Sequence, residues 1–245
     1  MSDAAQLRDW KVSRGASAWA EGSATVEAGR TRVLVTASVL PDVPGFLSGS
    51  GKGWVTAEYD MLPRSTHDRR VRDSRRSRPD GRGLEISRLI GRAMRAAVET
   101  GYLGERTIAI DCDVLQADGG TRTAAISGAT VALVEALVWM KSKKLIPGVP
   151  LNALVGAVSV GLVHGRPVLD LCYEDDRQAE VDMNVVMTSA GQFVEIQGTG
   201  EKSGFTDAQL AEMLTLARGG IEKVFEIQKA ALGPELLSAA GLDAS

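Results

Sequence analysis

Residues 106–143 read RTIAIDCDVLQADGGTRTAAISGATVALVEALVWMKSK. The first ten alternate apolar and polar, the period of a strand with one covered face. QADGG follows as a turn, and the stretch from about Thr121 to Lys143 is too long for a strand and apolar on all sides. A helix without a polar face belongs in the middle of a fold. The stretch therefore predicts a strand that feeds a central, buried helix through a pair of glycines.

The segments on either side supply what that helix packs against. Upstream, residues 22–39 (GSATVEAGRTRVLVTASV) predict two strands around the turn Glu27-Ala28-Gly29-Arg30. Residues 41–53 have the composition of a loop, WVTAEYDML that of a strand, and residues 84–100 place apolar side chains at helical spacing with arginines between them. That helix should start at Asp80 or within 81–83 and end at Gly101. Downstream, LNALVGAVSVGLV, the turn HGRP and VLDLCYE predict a hairpin. Residues 181–198 predict a second, turned at Ser189-Ala190-Gly191, and residues 206–231 an amphipathic helix. Hairpins mixed with two or three helices predict an α+β fold, mixed sheets with helices packed on their faces, as a single domain over residues 1–245. Residues 233–245 form a C-terminal extension without an assigned role.

Composition narrows the class. Hydrophobic residues make up 44% of the 245, enough for a sizeable core, and no uninterrupted apolar run reaches the length of a spanning helix. The first fifteen residues lack the apolar segment of a secretory signal, so a cytoplasmic protein without membrane contact is expected. Cys112 and Cys172 sit in apolar, strand-like runs and read as thiols rather than a disulfide.

Charge is the most uneven property. Net charge is −3, yet eleven of twenty arginines fall in residues 64–95, where only Asp68, Asp73, Asp80 and Glu85 oppose them, a local +7. Guanidinium forks match pairs of phosphate oxygens, and an anionic polymer as substrate explains why such self-repulsion is tolerated. Arg88, Arg92 and Arg95 recur at near-helical spacing and are expected on a helix face, solvated or at a subunit contact.

Within this frame the candidate sites are few. Gly119-Gly120-Thr121-Arg122 places two glycines, an expected cap at Thr121 and an arginine where a helix begins. Helix starts present unpaired N–H groups with partial positive charge, so an arginine there is unfavourable unless an anion is bound. A tight turn with a solvated arginine is the plain alternative. Arg82, between Gly81 and Gly83 before another helix, is a second candidate wall of a phosphate pocket. Acidic residues crowd residues 170–182. Glu180 and Asp182 share a strand face, with Asp175 and Asp176 in the preceding turn. Carboxylates beside a phosphate imply Mg²⁺ or a protonated general acid, against the alternative of a solvated turn. Asp111 and Asp113 form a weaker acidic pair. GSGKG at 49–53 fails the phosphate-loop pattern GxxxxGK[ST] and reads as a hairpin loop in which Lys52 meets a backbone phosphate at most. His67 and His164 offer no catalytic triad or zinc pattern.

In order along the chain, GWVTAEYDMLPRST, GRGLEISRLIGRAMRAAV, DCDVLQADGGTRTAAISGA, VDMNVVMTSAGQFVEIQGT and LARGGIEKVFEIQKAAL resemble the ribonuclease PH family of bacterial phosphate-dependent exoribonucleases, over residues 6–231. The resemblance implies a ribosomal protein S5 domain 2-like fold assembled as a homohexamer, a trimer of dimers. It implies that Arg82, Gly120, Thr121 and Arg122 bind phosphate and that Asp176 and Asp182 are the catalytic, Mg²⁺-associated carboxylates. It assigns Arg64, Arg69, Arg70, Arg72, Arg75 and Arg76 to a segment that contacts RNA. Gly83 departs from the family's usual threonine. The implied reaction uses inorganic phosphate as co-substrate to remove nucleotides from tRNA precursor 3′ ends and single-stranded RNA as nucleoside 5′-diphosphates, reversibly. A ring subunit without activity, a metal-dependent hydrolase and a plain RNA-binding protein are the competing expectations.

Overall fold

Strand alternation upstream of the central helix produces an antiparallel meander: β1 (Trp10–Arg14), β2 (Gly22–Ala28) and β3 (Thr31–Leu40). The chain continues through β4 (Trp54–Met61), α1 (Gly81–Ala97), β5 (Thr107–Gln116), α2 (Thr121–Ser142), β6 (Val155–Val163), β7 (Arg166–Leu169), α3 (Tyr173–Gln178), β8 (Val181–Thr188), β9 (Phe193–Gly200) and α4 (Asp207–Ala239). The computed structural model describes residues 5–72 and 80–242. One sheet has the order β1-β2-β3-β5-β4, the other β7-β6-β8-β9. All neighbours are antiparallel except β4 and β5. A parallel pair needs a crossover, and α1 supplies it, packing on β4.

Helix α2 lies between the two sheets, against β2 and β3 on one side and β6 and α4 on the other. This explains its lack of a polar face. An 18-residue stretch of it has a mean hydropathy of 1.6, which would suit a membrane span, and 83% of that stretch is buried inside the fold. Close approach depends on missing side chains. A Cβ on Gly22 would lie 2.0 Å from the Ala132 carbonyl oxygen, and one on Gly128 2.6 Å from Val26. One continuous cluster of buried apolar side chains draws on both sheets and on α1, α2 and α4. Within it, buried Gln228 of α4 donates to the carbonyls of Ser127 in α2 and Val155 in β6.

Three features differ from the sequence-based expectations. β1 was not anticipated, because its five residues carry only Trp10 and Val12 as an apolar face, and these are covered through pairing with β2. α3 replaces an expected turn and the end of the expected strand VLDLCYE, since β7 stops at Leu169 and Cys172 caps the helix. Six residues are too few to hold a helix alone; Cys172 and Asp175 cap it reciprocally. The last helix runs past residue 231 to Ala239, broken at Gly233 (φ 72°, ψ 165°) before Pro234. The extension then packs back on the core through Leu237 and Ala240, and Lys141 donates to the Ala239 carbonyl.

Candidate active site

The turn between β5 and α2 is held by Arg30 and Thr31. Arg30 donates through two nitrogens to the Asp118 carboxylate, at 3.1 Å each. The Thr31 hydroxyl accepts from the Asp118 amide at 2.8 Å and donates to the Gly119 carbonyl at 2.6 Å. Gly119 and Gly120 both take left-handed backbone angles, φ 77° and 65°. Gly120, not Thr121, is the N-cap of α2. Thr121 is therefore free to pair its hydroxyl with that of Tyr59 at 2.8 Å, leaving the first amides of α2 without side-chain caps and able to meet an anion. A Cβ on Gly119 would sit 2.3 Å from the Leu171 carbonyl oxygen. Gly119→Ala is expected to cost about 1–3 kcal/mol of unfolding free energy in urea titration. Unchanged stability would mean that the turn can move away from Leu171.

Two guanidinium groups flank this turn. Arg122 is 14% exposed and donates to Gln197 Oε1 of β9 at 2.6 Å, with Glu85 Oε1 of α1 at 4.0 Å. Gln197 in turn donates to Glu85 at 2.6 Å. Arg82 lies exposed in the first turn of α1. The N-cap Asp80 accepts from the Arg82 amide at 3.4 Å and from Arg70 Nη2 at 3.1 Å. Both guanidinium groups act electrostatically on the buried Tyr59 phenol, whose pKa burial raises and which Thr121, Arg82 and Arg122 pull back.

The carboxylates arrive from the second sheet. In the β8–β9 register Asp182 faces Thr199 and Asn184 faces Gln197, so Asp182 shares a sheet face with the residue that holds Arg122. Asp176 comes from α3. Burial raises the pKa of Asp176, partly offset by Arg82 and Arg122, while Glu201 adds to the rise. Asp182 is pushed up to about 6, first by burial and then by Asp176, with Arg122 and Arg82 opposing. The structure thus brings Arg82, Arg122, Asp176 and Asp182 within mutual electrostatic reach, beside the Gly120-Thr121 helix start. It leaves other acids outside. Glu180 accepts from the Gly165 amide at 3.0 Å, and Asp175 caps α3. Asp111 and Asp113 pair in register with Glu58 and Asp60 across β5 and β4; burial and those neighbours raise both pKa values.

Among the described residues no group of three or more metal-ligating side chains forms. The donor set is two hard carboxylates within electrostatic reach of Arg82 and Arg122. This fits Mg²⁺, which keeps several waters and uses one or two carboxylates plus phosphate oxygens; it does not fit a closed all-protein cage.

The arginine-rich segment divides. Arg64, Arg69 and Arg72 are exposed, whereas Arg70 is engaged with Asp80. Arg75 and Arg76 lie outside the described residues. Arg92 stays exposed on its helix face while pairing with Glu195 of β9, whereas half-buried Arg95 is tied internally, donating to the Val55 carbonyl and stacking 4.4 Å from the Trp54 ring centre. Exposed Arg88 lines a cavity of about 810 Å³ that opens beside the site and shares Tyr59, Asp80 and Gly83 with it. Lys52 precedes β4 and sits roughly 20 Å from Tyr59 near the other end of that strand. His67 is fully exposed, and His164 bonds Gln178. Tyr59, Gln197, Glu85 and Glu201 were not anticipated. Tyr59, beside the basic segment, and Glu85, one of the few acids within it, carried a sequence signal.

Two guanidinium groups and a helix start lie beside two raised-pKa carboxylates on a two-sheet α+β frame, an arrangement with the chemistry to hold phosphate groups. Residues 6–138 match the 3′ exoribonuclease family, domain 1, and residues 153–220 its domain 2. A ribonuclease PH of Corynebacterium efficiens is 58% identical over 228 residues, covering 93% of each chain. Rice (Oryza sativa) Rrp46 shares the fold at TM-score 0.76 and 16% identity, over 94% of this chain and 98% of its own. An Archaeoglobus fulgidus exosome with RNA bound to the active site does so at 0.78 and 20%, over 92% and 90%. The chain belongs to the ribonuclease PH branch of the 3′ exoribonuclease family.

Proposed function

We infer that this chain is a phosphorolytic exoribonuclease that shortens RNA from its 3′ end, with tRNA precursors and other single-stranded 3′ ends as substrates. The observation that carries the reading is the convergence of Arg82 and Arg122 with Asp176 and Asp182 at the start of α2. A hydrolytic nuclease needs the carboxylates but has no use for two guanidinium groups and uncapped helix amides aimed at a second anion.

Inorganic phosphate binds Arg82, Arg122 and the amides of the Gly120-Thr121 helix start, with Thr121 oriented by Tyr59. One phosphate oxygen attacks the phosphorus of the terminal phosphodiester. The new P–O–P bond forms as the bond to the penultimate ribose 3′ oxygen breaks, releasing a nucleoside 5′-diphosphate. The 3′ oxygen takes up a proton and leaves as the hydroxyl of the shortened RNA. Holding two anions together is the main obstacle, so positioning and electrostatics supply most of the acceleration. Asp176 and Asp182 would hold Mg²⁺, which when bound neutralises charge on the reacting phosphates. With no cation bound, Asp182 is raised to about 6 and can carry a proton near neutral pH. The exchange of a phosphodiester for a diphosphate is close to balanced, so the enzyme also adds nucleotides from diphosphates.

Arg64, Arg69 and Arg72, with Arg75 and Arg76, grip the RNA backbone without reading bases, which makes binding salt-sensitive. A homohexamer built as a trimer of dimers, working in the cytoplasm, completes the proposal.

The test is single-stranded RNA with Mg²⁺, with and without phosphate, and products resolved by charge. Diphosphates that form only when phosphate is present are expected. Monophosphates in phosphate-free buffer would overturn the reading, and RNA binding without products would leave a non-catalytic ring subunit.

A further inference from the structure

We propose that Arg8 is a positioning residue that locks the phosphate side of the site to its carboxylate side, an inference that rests on the phosphorolytic reading above. Arg8 precedes β1 and lies far from both sides in sequence. Its Nη1 donates to the Asp118 carbonyl at 2.6 Å, and its Nη2 reaches the Gly119 carbonyl at 3.5 Å. The same Nη2 donates to Asp170 Oδ1 at 2.7 Å, and the Arg8 amide donates to Asp170 Oδ2 at 3.0 Å. Trp10 Nε1 donates to that second oxygen at 2.6 Å. The Asp170 side chain has no solvent exposure and that of Arg8 has 15%.

Two segments meet at this ion pair. One is the turn of Asp118, Gly119 and Gly120 that opens α2. The other, Asp170 to Cys172, leads into α3, where the Asp176 amide donates to the Cys172 carbonyl at 2.9 Å. The segments also touch directly. A Cβ on Gly119 would meet Leu171 and Cys172 backbone atoms at 2.3 and 2.7 Å, and one on Gly120 would meet Arg8 Nη2 at 2.9 Å. Asp170 itself takes a left-handed angle, φ 56°, with its amide fixed to the Ser159 carbonyl at 2.7 Å. Displacing residues 170–172 therefore moves Asp176 relative to the helix start that holds the phosphate.

An arginine is needed because its planar fork spans acceptors on two segments at once. A lysine ammonium can meet Asp170 but lacks the fixed fork that also reaches the two carbonyls. Asp170 neutralises the Arg8 charge locally, which separates its role from that of Arg82 and Arg122. Arg8 touches neither the phosphate nor the RNA in this scheme and acts through the turn.

The experiment compares Arg8→Gln and Arg8→Lys with the parent enzyme in steady-state phosphorolysis, varying phosphate and RNA separately. Hydrogen–deuterium exchange is followed at the amides of residues 118–123. For Arg8→Gln the expected result is a kcat per folded molecule about 100-fold lower, a higher KM for phosphate, an unchanged KM for RNA and faster exchange in 118–123. Arg8→Lys, which keeps the Asp170 pair, should recover part of kcat and keeps the test readable if the glutamine variant does not fold. Unchanged kcat and phosphate KM per folded molecule, with unchanged exchange in the turn, would reduce Arg8 to a structural anchor and overturn the proposal. If the parent enzyme shows no phosphate-dependent activity, the functional reading falls instead, and the exchange data still decide whether Arg8 locks the turn.

Discussion

Arg122→Ala is expected to lower kcat/KM for phosphate by about 10²–10³-fold, the loss typical for removing one preorganised donor from a water-poor site, while leaving RNA affinity nearly unchanged. The side chain is 14% exposed, so solvent screens it little. Its removal frees Gln197 Oε1, but Gln197 is only half-buried and its Nε2 keeps the bond to exposed Glu85, so water can replace the lost donor. A second consequence follows from charge. Arg122 opposes the rise in pKa of both Asp176 and Asp182, so without it both carboxyls should hold their protons to higher pH. Initial rates across phosphate concentrations, set beside an RNA-binding titration, check the claim. If RNA affinity fell as far as the rate, Arg122 would belong to the RNA subsite and not to the phosphate.

Asp182→Asn should cost about 10²–10⁴-fold in kcat, the usual range for losing a proton-transferring or charge-organising carboxyl. In metal-free buffer at pH 7.5 it should also make the protein more stable. Asp182 is raised from 3.8 to about 6, chiefly by burial and by Asp176. Between those two pH values the native state keeps a proton that the unfolded chain has released, so stability falls as pH rises through that window. Above it the penalty reaches at most ~3 kcal/mol, and asparagine removes it. Thermal melts should show the variant ahead at pH 7.5 and level with the parent near pH 4. A variant that is less stable at pH 7.5, or that keeps full rate, would contradict this account. Such a trade of stability for function is expected where like charges are gathered for catalysis.

Local chemistry made much of the framework readable. Alternation at residues 106–115, with β-branched or apolar runs bounded by turns elsewhere, marked eight of the nine described strands, and the segment after Gly120 had to be central because no face of it could meet water. β1 and α3 were not readable. A five-residue strand and a six-residue helix carry too little pattern: β1 is completed by pairing with β2, and α3 by the reciprocal cap between Cys172 and Asp175. The arginines show the same limit. Arg70, Arg92 and Arg95 look like their neighbours in sequence, yet Asp80, Glu195 and Trp54 occupy them. Thr121 looked like a cap, but left-handed Gly120 took that place and released its hydroxyl to Tyr59.

From its sequence alone this chain determined most of its elements, which helix is innermost and where basic charge is concentrated, because propensity, periodicity and charge act over a few residues. Only the tertiary structure decided that the start of α2, the start of α1, the six-residue α3 and strand β8 meet at one point. That meeting depends on α2 being held between two sheets and on side chains such as Gln197, Glu85 and Arg8 reaching across it. Contacts between groups more than a hundred residues apart follow from how surfaces pack, and no local pattern encodes them.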